Sequence, residues 1–367
     1  MERLKPMSHA TRKNIGVIGL GIIGRGVAGN LRRKGFPVYV WNRSPRSVPN
    51  FVGSPGEVAE ICNYIQIFVS DDDALLQTAQ QLSPKLTPHH LVLAHSTVAP
   101  DSMRAAAEIV ERRKARFVEA PFTGSKTAAE KGELVYYVCG NDAAVHDARP
   151  ILEAGSKEII EIGPTIGQAS AIKIATNMIT AASVQAAAEA LALVQALGLP
   201  LEKFLEAMRS NASNSATLAM KLPKMLSRDF EPHFSVKHML KDMQIANQIG
   251  LSNYLDLGVT AAARDQLLEQ MHWGHGDDDY SVIARKYLHE PAPVAGEELQ
   301  LDEQEEQVSG ESIASSAEMK TQSQEDARPE VSAAPLISVA NSGPNETTRL
   351  RPGFFKQLLS RLSSGKE

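Results

Sequence analysis

Cysteine is scarce. Only Cys62 and Cys139 occur in 367 residues, too few for a disulfide framework and without the paired spacing of a zinc site. No His/Cys/Asp cluster supplies another ligand set, since His233, His238, His272 and His275 are only loosely grouped, so no metal is expected. An excess of positive charge is also missing. Lys and Arg number 38 against 43 Asp and Glu, a formal charge of −5, which leaves no global basic field to hold nucleic acid. Long unbroken apolar runs are absent as well. The most apolar stretch, Met178 to Leu201, is interrupted by Gln185, Glu189 and Gln195 and is rich in alanine, so a buried helix is expected rather than a membrane span. Before Asn14 the chain is basic but carries no apolar run of signal-peptide length. A reducing, cytoplasmic location is therefore expected.

What is present is ordinary globular material, 43% apolar and 22% charged, at a length that accommodates two domains and something extra. From Asn14 short β-rich runs alternate with helical stretches. The strands are NIGVIGL, PVYVWN, YIQIFVS, LVLAHS, ARFVEA, ELVYYVCG and KEIIEIG; helices are expected from Ile22 to Lys34, near Glu57, through Leu82, from Asp101 to Arg113 and from Asp142 to Glu153. Such alternation predicts an α/β domain with a parallel sheet and right-handed crossovers over residues 14–166. Residues 167–290 read differently, as long Ala- and Leu-rich helices separated by Gly198-Leu199-Pro200, Pro223 and Pro232. Residues 1–13 are expected to be a flexible N-terminus. The interval 291–348 is acidic and then Ser/Ala/Gln/Pro-rich, and predicts a disordered tail. In 349–367, Phe355, Leu358, Leu359 and Leu362 fall at i, i+3, i+4 and i+7 among basic residues, a pattern for a short amphipathic helix able to dock on a membrane surface or a partner.

The first strand runs directly into Gly19-Leu20-Gly21-Ile22-Ile23-Gly24, a G-x-G-x-x-G turn that opens a helix. In that context the first glycine permits a tight turn, the second lets backbone approach a pyrophosphate, and the third lets helix and strand pack closely. The helix N-terminal amides then face the anion. The first domain is therefore expected to be a Rossmann-type dinucleotide-binding domain. At the end of the second strand, where an acid usually receives the ribose 2′-hydroxyl of NAD, the chain has Asn42-Arg43-Ser44-Pro45-Arg46. A guanidinium and a hydroxyl suit a 2′-phosphate that an aspartate would repel, so NADP(H) is the expected cofactor.

Three further segments follow in order: Glu119-Ala120-Pro121-Phe122-Thr123-Gly124-Ser125-Lys126; Gly163 to Asn177, containing Gly167, Lys173 and Asn177; and Phe234 followed seven residues later by Lys241-Asp242-Met243. With the glycine turn they resemble the β-hydroxyacid dehydrogenase family across about Asn14 to Leu288. That family includes 3-hydroxyisobutyrate dehydrogenase, tartronate semialdehyde reductase and glyoxylate/succinic semialdehyde reductase. The resemblance implies Lys173 and Asn177 as catalytic residues, and Thr123, Gly124, Ser125, Phe234 and Asp242 on the substrate side. Val69 and Ser70, Thr97 and Lys241 are implied to join the glycine turn and Asn42, Arg43 and Ser44 around the cofactor. Two positions depart from the family pattern: Ala169 replaces a glycine and Thr123 the usual serine. Imine reductases share the architecture but generally lack the lysine.

The residues themselves support a role for Lys173. Spacing of four on a helix places Lys173 and Asn177 on one face, and a lysine on an otherwise apolar, alanine-rich helix is costly unless it serves something. The resemblance implies an NADPH-dependent oxidoreductase that reduces a small aldehyde acid, glyoxylate or succinic semialdehyde, with the proton from Lys173. 3-Hydroxyisobutyrate dehydrogenase and tartronate semialdehyde reductase are the alternatives within it, and self-association as a dimer or tetramer is expected. A reading of another class is a non-catalytic nucleotide-binding scaffold whose tail recruits partners.

Overall fold

The computed structural model describes residues 13–288; the expected tail, terminal amphipathic helix and flexible N-terminus, Lys13 apart, lie outside them. The first domain is built on five parallel strands, β1 (Ile15–Ile18), β2 (Val38–Trp41), β3 (Tyr64–Ile67), β4 (Leu91–Ala94) and β5 (Arg116–Glu119), ordered β2-β1-β3-β4-β5. Every residue of β1 and β4 is buried, as strands covered by helices on both faces must be. Successive side chains go to opposite faces: Leu91 and Leu93 join one apolar cluster, Val92 and Ala94 the other. Helices α1 (Ile22–Arg33), α2 (Pro55–Ile61), α3 (Asp72–Leu82) and α4 (Pro100–Glu111) form the crossovers. From β1 the chain goes to β2 on one side and then returns past β1 to β3 on the other. That reversal opens a crevice at the C-terminal ends of β1 and β3, the place where such sheets receive ligands.

Beyond β5 the expectation of a wholly parallel sheet fails. Here β6 (Phe122–Thr123) and β5 both lie antiparallel to β7 (Leu134–Cys139), while β8 (Ser156–Gly163) is parallel to β7. The reason is length. Between β5 and β7 the chain makes a turn, β6 and α5 (Lys126–Lys131). That helix spans only about 9 Å, too short to carry the chain back along β7, which spans roughly 20 Å. α6 (Asp142–Gly155), by contrast, is long enough to bring β8 in parallel.

The second domain is helical: α7 (Gln168–Ala196), α8 (Leu201–Arg209), α9 (Ala216–Ser227), α10 (Val236–Ser252), α11 (Gly258–His272) and a closing 3-10 turn, Tyr280–Lys286. α7 runs 29 residues, roughly 43 Å. Ser170, Lys173, Ile174, Asn177, Ala181, Val184, Ala188 and Leu191 are its buried stripe, at helical spacing. Its expected burial holds for one side only, because Ile179 and Leu193 are 70% and 62% exposed. The helix is long and apolar enough to cross a membrane by length and composition alone. Pro223 does not separate helices, as expected from its lack of an amide, but lies inside α9. Both Pro223 and Ala219, whose carbonyl loses its donor there, are exposed, so the helix loses that bond at its solvent side rather than in the core.

Lys221 of α9 and Asp279 form an ion pair with side chains 1% and 0% exposed, Nζ lying 2.7 Å from each carboxylate oxygen. Asp279 also accepts the amides of His233 and Phe234 at 2.9 and 3.2 Å. Removing one member of such a pair leaves a buried charge alone, which costs far more than replacing both. Lys221→Met is expected to lower unfolding stability by about 3–5 kcal/mol, measured by urea denaturation, with a smaller loss when Asp279→Leu is combined with it.

Candidate functional site

The glycine turn is shaped by close approach. Gly19 has φ +95, and a Cβ there would stand 1.9 Å from the Phe68 carbonyl oxygen; one on Gly24 would stand 2.0 Å from the Gly19 oxygen. Gly21 differs: nothing lies within 4 Å of the position its Cβ would take. Two glycines thus close the turn and the middle one leaves space for a ligand, the division of labour a pyrophosphate requires. Gly21 caps α1 without a side-chain hydrogen bond, leaving first-turn amides free of a protein side chain and aimed along the helix dipole. The Leu20 amide donates to Asn42 Oδ1 at 2.9 Å, and Asn42 Nδ2 donates to the Ser44 carbonyl at 2.8 Å. Asn42 therefore knits the glycine turn to the turn after β2, on which Arg43, Ser44 and Arg46 are exposed.

A cavity of about 470 Å³ opens beside this turn. One wall is Gly21, Ile22, Ile23 and Gly24; Val69 and Ser70 follow β3, and Ser96 and Thr97 follow β4; across from them stand Phe234, Lys241 and Asp242 of the helical domain. The Ser96 hydroxyl accepts the Val69 amide at 3.0 Å, tying the two strand-end loops together. These residues fit a dinucleotide: backbone amides and a glycine opening for the phosphates, then strand-end loops for the nicotinamide half.

Lys241 Nζ donates to the Thr97 carbonyl at 2.5 Å and to Asp242 Oδ1 at 2.7 Å, and Asn177 Nδ2 donates to Asp242 Oδ2 at 2.6 Å. The fully buried carboxylate of Asp242 thereby joins α7, α10 and the loop after β4. Lys173 lies one helical turn before Asn177, 9% exposed, and among the described residues its ammonium makes no hydrogen bond. Burial lowers its pKa to about 8, against the opposing pull of Asp242. A partly deprotonated amine with free donors is suited to exchange a proton near neutral pH.

Asn177 meets the cavity only through its bond to Asp242, Lys173 is outside the lining and feels the Asp242 charge, and Leu20, Asn42, Arg43 and Ser44 lie beyond the lining at the β2 end. Of the loop after β5 only Phe122 reaches the lining. Thr123 and Gly124 are exposed, and the Ser125 hydroxyl accepts the Ala128 amide at 3.2 Å as the cap of α5. Ala169, the departure from the family's glycine, is fully buried and outside the cavity lining.

Two residues of the site were not singled out from the sequence. Glu119, fully buried at the end of β5, accepts the Gly167 and Ser170 amides at 2.5 Å each. Burial raises its pKa against the lowering effect of those amides. It caps the N-terminus of α7, favourably placed in the helix dipole, and so sets where the helix that carries Lys173 begins. His95 lines the cavity after β4. Its ring stacks on Phe68 at 4.4 Å, its Nδ1 lies 2.8 Å from the Ala120 carbonyl, and burial lowers its pKa to about 4. The available signal was similar for both, a polar residue directly at the C-terminal end of a largely buried strand.

Two family models match in tandem. Residues 14–163 match the NAD binding domain of 6-phosphogluconate dehydrogenase, and residues 167–287 the NAD-binding domain of NADP-dependent 3-hydroxyisobutyrate dehydrogenase. Glyoxylate/succinic semialdehyde reductase 1 of Arabidopsis thaliana is 29% identical over 279 residues, covering 73% of this chain and 96% of that one. Cytokine-like nuclear factor N-PAC of Homo sapiens is 28% identical over 289 residues, covering 76% of this chain and 52% of its own, so the chain spans about half of that relative. Among solved structures, 3-hydroxyisobutyrate dehydrogenase from Salmonella typhimurium superposes with a TM-score of 0.69 at 22% identity, covering 75% of this chain and all of its own. That from Mycobacterium tuberculosis gives 0.68 at 23%, covering 75% and 99%. At these identities the structures establish the fold.

Asp242 is the acid that raises the Lys173 pKa. Asp242→Asn removes that charge, and the Lys173 midpoint is expected to fall below its value of about 8. NMR titration of ε-¹³C-labelled lysine reads it directly, and an unmoved midpoint would show that Asp242 does not act on the ammonium.

Proposed function

The chain belongs to the β-hydroxyacid dehydrogenase family, whose members are NAD(P)-dependent oxidoreductases, and from that premise we propose that it reduces a small aldehyde acid with NADPH. The observation that carries the proposal is Lys173, buried, with an ammonium that makes no hydrogen bond among the described residues and a pKa lowered to about 8. When bound, the reduced nicotinamide supplies the hydride for the carbonyl carbon. Lys173 hydrogen-bonds the carbonyl oxygen, stabilises the charge that develops on it and gives it a proton. Asn177 and Asp242 hold the pocket around that ammonium. Thr123 and Gly124, exposed at the end of β6, are assigned to the substrate carboxylate, so that hydride acceptor and ammonium meet in one positioned complex.

Glyoxylate and succinic semialdehyde are the proposed substrates, supported by the relative from Arabidopsis thaliana that carries both in its name. The Asn42-Arg43-Ser44 turn, with Arg43 and Ser44 exposed and no acid at the end of β2, supports NADPH over NADH. A second reading is dinucleotide binding without turnover, and the relatives named as nuclear factors rather than reductases are the reason to keep it. A screen of small carbonyl acids with purified protein separates the two: a chain that binds NADPH and reduces none of them belongs to the second.

In that screen the wild type is expected to show higher kcat/KM with NADPH than with NADH, and Lys173→Ala to lose about 10²–10⁴ in kcat while still binding NADPH. Reduction needs the ammonium, so its rate should fall as pH rises through about 8; oxidation of the hydroxyacid needs the amine and should rise over the same range. Equal turnover by Lys173→Ala would remove the lysine from the mechanism.

Self-association is proposed through the apolar side chains that the helical domain leaves uncovered, Leu251 and Val259 at 71% and Tyr254 at 98% exposure, since patches of this kind mark interfaces. Light scattering on the full chain is expected to give an oligomer, and Leu251→Glu with Val259→Glu to shift it towards monomer.

A further inference from the structure

Lys237 is an electrostatic misfit in its own helix. It occupies the first turn of α10, where the N-terminal amides present positive charge and an acid is the favoured residue; no acid occupies that turn. It also precedes Lys241 by four residues, so two ammonium groups share one face and repel. Both line the cavity, facing the glycine turn that opens α1.

The neighbours decide what Lys237 is free to do. Lys241 is committed to the Thr97 carbonyl and to Asp242. His233 and His238, on the same wall, are held below the ordinary histidine pKa, first by burial and then by nearby lysines. Lys237 itself pairs with Asp277, whose side chain is 89% exposed. An ion pair so open to water holds weakly, and Asp277 lines the same cavity.

We propose that Lys237 is the cation that closes on the diphosphate of the bound dinucleotide from across the cavity, with Asp277 as its substitute partner when no diphosphate is there. The inference rests on the reading of the cavity as a dinucleotide site. Amides of α1 meet the diphosphate from one side and Lys237 from the other, so the helical domain contributes directly to cofactor affinity. Both charges of a diphosphate outweigh the single carboxylate, and binding relieves the repulsion along α10. The diphosphate is common to NADPH and NADH, so Lys237 strengthens both equally, whereas a 2′-phosphate ligand would separate them.

Calorimetric titration of the full chain with NADPH, NADH and ADP-ribose at low and moderate salt tests this. Lys237→Ala is expected to weaken all three by about tenfold, equivalent to about 1.4 kcal/mol, with a shallower salt dependence. Lys237→Arg should restore most of the affinity, and Asp277→Asn should tighten all three ligands by removing the competing carboxylate. Unchanged binding by Lys237→Ala, or weakening confined to NADPH, overturns the proposal; so does weaker binding by Asp277→Asn, which would make the pair structural. A wild type that binds none of the three ligands instead defeats the dinucleotide reading on which it rests.

Discussion

The candidate site is organised by a carboxylate without access to water. Asp242 sits on α10 with no exposed surface, and a buried charge of that kind persists only where donors surround it. It obtains one from Asn177 of α7 and one from Lys241 beside it, and Lys241 passes a further bond to Thr97 at the end of a strand in the other domain. Each of these residues could point elsewhere if Asp242 were absent. Thr97, Lys241 and Asp242 line the cavity, and Asp242 supplies the charge that Lys173 feels. Desolvation pulls the lysine towards its neutral form and Asp242 pulls it back, so its protonation reflects burial and a neighbouring carboxylate acting against each other.

Backbone does the corresponding work on the cofactor side. The turn at Gly19–Gly24 excludes side chains where atoms crowd and leaves Gly21 open. Glu119 caps α7 from the sheet, so the helix that carries Lys173 starts from a strand end of the same sheet that carries the glycine turn. The two halves of the site are thereby referred to one rigid frame, which is what positioned chemistry needs.

Much of this was legible in the sequence, for reasons of period and spacing. The glycine turn, the alternating strands and helices, and the change of texture after Gly167 all report local backbone choices. The Lys173–Asn177 spacing put both on one helix face, and that face is the buried one. The antiparallel run of β7 was not legible, because it depends on the reach of α5 rather than on any pattern within β7. Pro223 read as a break because its cost is local, whereas its tolerance depends on the exposure of Ala219 in the folded chain. Glu119 and His95 were missed for a related reason: each is a polar residue where a strand ends, and only the distant amides and rings they meet make sense of them. The exposed position of Thr123 and Gly124, away from the cavity lining, was equally beyond what a loop sequence can report.

The bond from Lys241 to Thr97 joins residues 144 apart, and that from Asn177 to Asp242 joins residues 65 apart. During synthesis, then, the glycine turn and the first sheet leave the ribosome well before the residues that bury and polarise Lys173. Until α10 has been made, that lysine has neither Asp242 beside it nor the fold that desolvates it, and it is an ordinary, fully charged side chain. A growing chain can therefore acquire its sheet early, yet the unusual acidity of its amine arrives only with the last quarter of the described residues.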